Sequence, residues 1–187
     1  AQKGLSTNFL YFSRTEDAQK YKNYLSIGES EGLPKRYKCR IRTPWYKVPS
    51  VFSSPISMLK RSNGMPRLIL NRLNAYTTDT AYRIMPNKCI DANNLVVCFL
   101  NSLTALSAEL EGRHYGGGVL ELVPSEIDRL KVPYIANLDI NIFELNDFVK
   151  QHSVDEILKR QDEIIFSALG VDIEQVKILQ SALTRMK

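Results

Sequence analysis

Ten lysines and arginines lie between Gly32 and Thr78 with no aspartate or glutamate among them: Lys35, Arg36, Lys38, Arg40, Arg42, Lys47, Lys60, Arg61, Arg67 and Arg72. The 187-residue chain carries 25 basic and 20 acidic side chains, a net charge of +5, so everything outside this segment sums to −5. A cationic stretch of that kind repels itself unless an anionic partner or a screened surface offsets it. Tyr37, Trp45, Tyr46, Asn63, Asn71, Asn74 and Tyr76 are interleaved with the charge. Cations neutralise phosphates, amides and guanidinium groups pair with base edges, and aromatic rings stack on bases. The segment points to a nucleic acid.

Within it, Lys35, Lys38, Lys47, Lys60 and Arg61 are expected to neutralise phosphates. Arg40, Arg42, Asn71, Arg72 and, further on, Arg113 are the candidates for base-edge or close backbone contacts. Arg67 and Tyr115 complete the candidate set. Trp45 and Tyr46 either stack on bases or pack in a core, and Asn71 and Asn74 either read bases or build a turn. Gly112-Arg113-His114-Tyr115-Gly116-Gly117-Gly118 is the most distinctive short run. Its glycines permit close backbone approach to a phosphate, or they simply solve a tight helix-to-strand connection.

Catalytic chemistry has no such signature. The chain holds no GxGxxG after a strand, no P-loop, no GxSxG, no HExxH and no Asn-Pro-Pro-Tyr loop. Cys39, Cys89 and Cys98 share no CxxC spacing, and His114 and His152 form no cluster with them. Neither a zinc site nor a disulfide framework is expected, and free thiols suit a reducing cytoplasm. No apolar run approaches the roughly 20 residues that span a bilayer, and no signal-peptide layout opens the chain. We therefore expect a cytoplasmic protein with no membrane partner and no catalytic residue, metal ligand or cofactor of its own. A start at Ala1 without Met hints at a piece of a longer polypeptide.

The elements that must position these residues read as α+β: a mixed or antiparallel sheet with a buried central helix, then a helical C-terminal extension. Asn8 to Phe12 reads as a strand, followed by a helix from an N-cap at Thr15 to about Leu25, ended by Gly28 and Gly32. Tyr37 to Thr43 alternates apolar and cationic residues, a strand with Lys38, Arg40 and Arg42 along one face. Trp45 to Val48, between Pro44 and Pro49, is an edge strand or loop. Ile56 to Lys60 and Arg67 to Leu73 read as strands joined through a turn at Ser62-Asn63-Gly64, with a further strand over Thr80 to Met85. One long buried helix runs from a cap at Asn93 or Asn94 to Leu110 and is closed by Gly112. Val119 to Val123 is a strand, and a short helix follows around Ser125 to Leu130.

The character changes after Pro133, where Asp139 to Gln175 holds nine acids against three bases. Ser153 with Glu156 and Asp172 with Gln175 are capping-box patterns, and Gly170 is a stop. We expect a domain over 1–133 and a helical extension over 134–187 whose apolar stripe needs a surface to cover. That surface is either the α+β body or a domain outside this chain.

The order of segments resembles the specificity domain of TaqI-like and Eco57I-like adenine DNA methyltransferases. The resemblance is carried by Gly4-Leu5-Ser6-Thr7-Asn8-Phe9-Leu10, then Arg40-Ile41-Arg42-Thr43-Pro44-Trp45-Tyr46-Lys47-Val48-Pro49, then Arg67-Leu68-Ile69-Leu70-Asn71 and Thr78-Asp79. It ends with Leu100-Asn101-Ser102-Leu103 and the run from Gly112 to Pro124. The chain departs from the family by lacking a glycine between Thr7 and Asn8, and by lacking the N-terminal catalytic half. The resemblance implies a target-recognition region of a restriction–modification enzyme that holds double-stranded DNA while an N-terminal methyltransferase domain in cis flips and methylates adenine. S-adenosylmethionine is implied for that missing domain, not for this chain. An RNA-binding module, or an assembly domain using the acidic helical tail, is the alternative.

Overall fold

Residues 15–40 fold into short helical pieces, and Gly32, Pro34, Pro44 and Pro49 punctuate the stretch that follows the first two, whereas the remainder has runs long enough for a sheet-and-helix core. The computed structural model describes residues 10–12, 15–49 and 51–186. The chain forms two units, Ala1–Phe52 and Ser53–Lys187.

In the first unit, helix α1 (Thr15–Lys20) places Glu16 and Asp17 in its first turn, where the helix dipole favours carboxylates. Helix α2 (Lys22–Ser30) runs five residues past the expected end at Leu25, so Gly28 lies inside it. Gly28 serves packing: a Cβ there would come within 2.7 Å of the Trp45 indole. Gly32, with φ of 73°, makes the stop. A 3-10 turn (Leu33–Lys35) follows, and then a single helical turn, α3 (Tyr37–Arg40), in place of the expected strand. The alternation in that stretch has no sheet to bury it. Tyr37 and Ile41, its apolar half, remain exposed, and a strand without neighbours is unstable. Lys38, Arg40 and Arg42 therefore do not form a row on a strand face. Leu10 to Phe12 form no strand either. Asn8 and Phe9, and the Gly4 to Phe9 part of the family-like motif, lie outside the described residues, as does the capping side chain of Thr15. Phe12, Tyr21, Trp45 and Tyr46 form an edge-to-face aromatic cluster, with ring centroids 5.6–6.1 Å apart.

The second unit is built on two antiparallel three-stranded sheets. Strands β1 (Ile56–Leu59), β2 (Arg61–Asn63), β3 (Leu68–Leu70) and β4 (Ala81–Ile84) come first. β1 pairs with β3 as expected and with β4 on its other side. Ser62 and Asn63, expected in a turn, instead belong with Arg61 to a strand that starts a second sheet. Lys60 is the joint. Its N–H donates to the Thr80 carbonyl at 3.1 Å beside β4, while its carbonyl accepts from the Leu122 N–H at 3.0 Å.

The expected single central helix is two, α4 (Ala92–Cys98) and α5 (Ser102–Glu111). Asp91, not an asparagine, caps α4 by accepting the Asn94 N–H at 2.9 Å. The break is made by fully buried Asn101. Its amide donates to the Cys98 carbonyl at 2.6 Å and its oxygen accepts the Thr104 N–H at 2.9 Å, so one side chain ends α4 and caps α5. Gly112 closes α5, as expected. Strands β5 (Arg113–Tyr115) and β6 (Val119–Glu121) form a hairpin, and β6 pairs on its other side with β2. A short helix α6 (Pro124–Ile127) follows.

The tail folds into α7 (Ile142–Gln151), α8 (Val154–Ala168) and α9 (Ile173–Met186). The Ser153–Glu156 capping box is formed, and Gly170 makes the stop with φ of 68°. Leu145, Leu158 and Leu183 from these helices join Ile56, Met58, Phe99, Leu120 and Leu122 in one apolar cluster. The surface covered by the tail is thus the α+β body of its own unit. Among the described residues no helix is long and apolar enough to cross a membrane.

Buried Asp162 of α8 ties the helices together. It accepts the Ser102 N–H at 2.8 Å, the Ser102 hydroxyl at 2.6 Å and the Gln180 amide at 2.8 Å, so a carboxylate sits on the N-terminus of α5 and on α9 at once. Asp162→Ala strands three donors, and we expect it to cost about 3 kcal/mol, read from the urea midpoint. Asp162→Asn, which keeps the shape and one acceptor, is expected to cost less.

Candidate nucleic-acid interface

Cross-strand partners share a face of a sheet, and residues two apart along a strand return to that face. In the second sheet, Arg61 and Arg113 both stand opposite Glu121, while Asn63 and Tyr115 both stand opposite Val119. Arg61, Asn63, Arg113, Tyr115 and Glu121 therefore share one face. The other face carries Ser62, Leu120 and His114, with Leu120 buried in the core.

Both arginines are ion-paired yet exposed. Arg61 Nε lies 3.0 Å from Glu121 Oε2, and Arg113 Nε lies 2.9 Å from Glu126 Oε1. Each hydrogen bond raises its guanidinium further above the ordinary arginine range. Glu126 also accepts the Val123 N–H at 2.8 Å, and that backbone bond, ahead of Arg113 and against the opposing effect of burial, holds its carboxyl below the usual range. The Arg61 guanidinium lies 5.8 Å from the Tyr115 ring centroid, and the Lys60 ammonium 5.2 Å from that of Tyr82. Burial, then the charges of Glu121 and Glu126, push the Tyr82 phenol up. Gly116 to Gly118 form the hairpin tip; Gly117 and Gly118 have φ of 79° and 75°, which side-chain-bearing residues rarely adopt. Gly112 thus makes the tight helix-to-strand connection between α5 and β5, while Gly116 to Gly118 form a hairpin turn.

Elsewhere in this unit, Arg67 and Arg72 line an open cleft of about 490 Å³ whose floor includes Leu68, Leu100 and Leu145. The Arg72 guanidinium lies 4.6 Å from the Phe143 ring centroid. Asn71 closes a turn: its amide donates to the Ser54 and Ala75 carbonyls and its oxygen accepts the Ala75 N–H, all at 2.9 Å. Asn74 holds φ of 50° in the same turn. His114 is turned back onto α5, with Nε2 3.1 Å from the Glu109 carbonyl.

The first unit holds the other candidates. Lys35, Lys38, Arg40 and Lys47 are exposed and Arg42 is half-buried. Among the described residues of their unit, none of these five, nor Arg36, makes an ion pair. Trp45 and Tyr46 are half-buried in the aromatic cluster, where the edge of one ring meets the face of the next. The ten cations of the acid-free segment thus divide six and four between the units.

Residues 1–166 match the family described as Type II methyltransferase M.Eco57I, C-terminal domain. The chain belongs to this family. It is 24% identical over 170 residues to the Type II methyltransferase M.AccI of Acinetobacter calcoaceticus, covering 84% of this chain and 32% of that protein. It is 26% identical over 125 residues to the Type II methyltransferase M.XamI of Xanthomonas campestris pv. amaranthicola, covering 66% of this chain and 23% of that protein. The chain thus spans a third or less of these relatives. No solved structure matches it.

Of the residues singled out from the sequence of this M.Eco57I-type C-terminal domain, the second sheet gathers Arg61, Arg113 and Tyr115, with Lys60 at its joint. Sequence reading missed Glu121, Glu126 and Tyr82. One signal was present for Glu121: between Leu120 and Leu122, strand alternation aims it away from the core.

Two outcomes follow. Asn71→Ala opens the 71–75 turn, and we expect a stability loss of about 1–3 kcal/mol in urea unfolding. For Glu126, a folded pKa below the unfolded value near 4.3 stabilises above that value, and the benefit fades as pH falls through the folded pKa. The Tm advantage of the native protein over Glu126→Gln should therefore be full near neutral pH and shrink steadily below about pH 4.

Proposed function

We propose that this chain is the target-recognition part of a type II DNA methyltransferase, holding double-stranded DNA and selecting the sequence to be modified. Its catalytic partner in this reading is an N-terminal domain in cis, outside this chain, that transfers a methyl group from S-adenosylmethionine to adenine. Membership in the M.Eco57I C-terminal family supports the assignment to such an enzyme. The observation that carries the DNA-binding role is the run of six cations from Lys35 to Lys47, which have no carboxylate partner among the described residues of their unit. That unit has ten basic and four acidic residues, while the second has 15 and 16. Unpaired, solvated cations are what displacement of condensed counterions from a duplex requires.

The alternatives fare less well. A single-strand RNA platform needs open aromatic faces, and Trp45 and Tyr46 are half-buried, packed edge to face on each other and, through Tyr46, on Phe12. An assembly role for the tail needs a free apolar stripe, and Ile157, Leu158, Ile165 and Phe166 of α8 are buried in the chain's own core.

The test is duplex binding by the full chain across a salt series. Lys35→Ala, Lys38→Ala and Lys47→Ala combined should weaken binding to all duplexes alike and lower the slope of log K against log salt by about 3, at about 0.9 per phosphate contact. Salt-insensitive binding, or displacement of duplex by an equal amount of single-stranded RNA, would overturn the reading.

A further inference from the structure

The two arginines on the second sheet are held in a way that neutralising phosphate does not require. Pairing each with a carboxylate removes most of its net charge, which weakens a purely electrostatic contact. What pairing supplies is direction. Both carboxylates take Nε, at 3.0 Å for Arg61 and 2.9 Å for Arg113, so each planar guanidinium is fixed along one edge. Among the described residues no hydrogen bond takes the Nη1–Nη2 edge of either, and the side chains are 68% and 59% exposed.

The holders are themselves held. Glu121 sits in the middle strand between the two arginines, and Glu126 is bound to the backbone of Val123. The Tyr115 ring beside Arg61 restricts it further. With one strand between them, the two arginine backbones are about 10 Å apart, close to three base-pair rises, so a single groove face can reach both. Beyond Arg113 the hairpin narrows to Gly116 and Gly117, where a Cβ would meet nothing within 4 Å. The β5–β6 hairpin is a two-stranded ribbon with a bare tip, of the size that the major groove admits, and β2 sets Arg61 along its flank.

We infer that Arg61 and Arg113 are a carboxylate-aimed pair that reads guanine edges in the major groove, with Glu121 and Glu126 as positioning residues. Guanine is the base whose O6 and N7 accept a two-pronged guanidinium. Arg61, expected from sequence to meet phosphate, thereby moves to base reading, and the phosphate role stays with Lys35 to Lys47. The inference rests on the DNA-binding reading above.

The experiment selects from a duplex library with a randomised core, using the full chain, and then measures the ratio of Kd for scrambled and selected duplexes. The native protein should enrich a motif with guanine at two positions. Arg61→Ala and Arg113→Ala should each lose preference at one of them, with discrimination falling about 5- to 150-fold. Arg113→Lys, which keeps the charge but not the fork, should lose discrimination as Arg113→Ala does while retaining affinity for scrambled duplex. Glu121→Gln gives opposite signs for the two possible roles. It frees a positive charge, so scrambled duplex should bind more tightly; if Glu121 aims Arg61, discrimination must nevertheless fall. Unchanged discrimination in Glu121→Gln, a full motif retained by either arginine variant, or salt-dependent binding with no motif would each overturn the inference while leaving DNA binding intact. Failure of the native chain to bind duplex in a salt-dependent way would overturn both.

Discussion

One residue's backbone serves two sheets, and the second unit is organised around it. The Lys60 N–H continues the pairing of β1 towards β4, and its carbonyl turns to Leu122 just past β6. Neither group can be left unpaired at a half-buried position without a cost comparable to a lost hydrogen bond. The chain leaves the first sheet at this point and enters the second without a loop. Register across β2, β6 and β5 then follows, because a one-residue slip of β6 would turn Leu120 out of the core and Glu121 into it. The ion pairs of the outer face are a consequence of that register.

The helices fix the second sheet from behind. Asn101 breaks what would be one helix into two, and Asp162 binds the start of the second piece to α8 and α9. α5 ends at Gly112, directly before β5, so the position of its C-terminus sets where the hairpin begins. Buried polar groups with every bond made specify one arrangement more sharply than apolar packing does. Here they align a helix with the strand that carries Arg113.

Two kinds of cation result. Those of the first unit lie on short helices and turns, where long side chains keep their charge and freedom and suit the diffuse field of a phosphate backbone. Those of the second sheet are paired, oriented and attached to rigid strands, an arrangement that suits a contact with a fixed geometry. Net charge alone would rank the two groups together.

Signals contained within a few residues were legible in the sequence. The Ser153–Glu156 box, the stops at Gly32, Gly112 and Gly170, the β1–β3 pair, the acid-free segment and the order of family-like segments all depend on neighbours along the chain. What the tertiary structure decided is which residues meet across long separations. Nothing near Tyr37 to Thr43 says that no sheet will cover its alternation, so a strand pattern became a helical turn. Nothing near Leu100 says that Asn101 will be buried between two helix ends. Arg61 and Glu121 are 60 positions apart, and their pairing exists only because one strand changes sheets at Lys60. Local propensity is a property of a few adjacent backbones. A partner 60 residues away is chosen by the packing of the whole core, and that choice separates an aimed arginine from a free one.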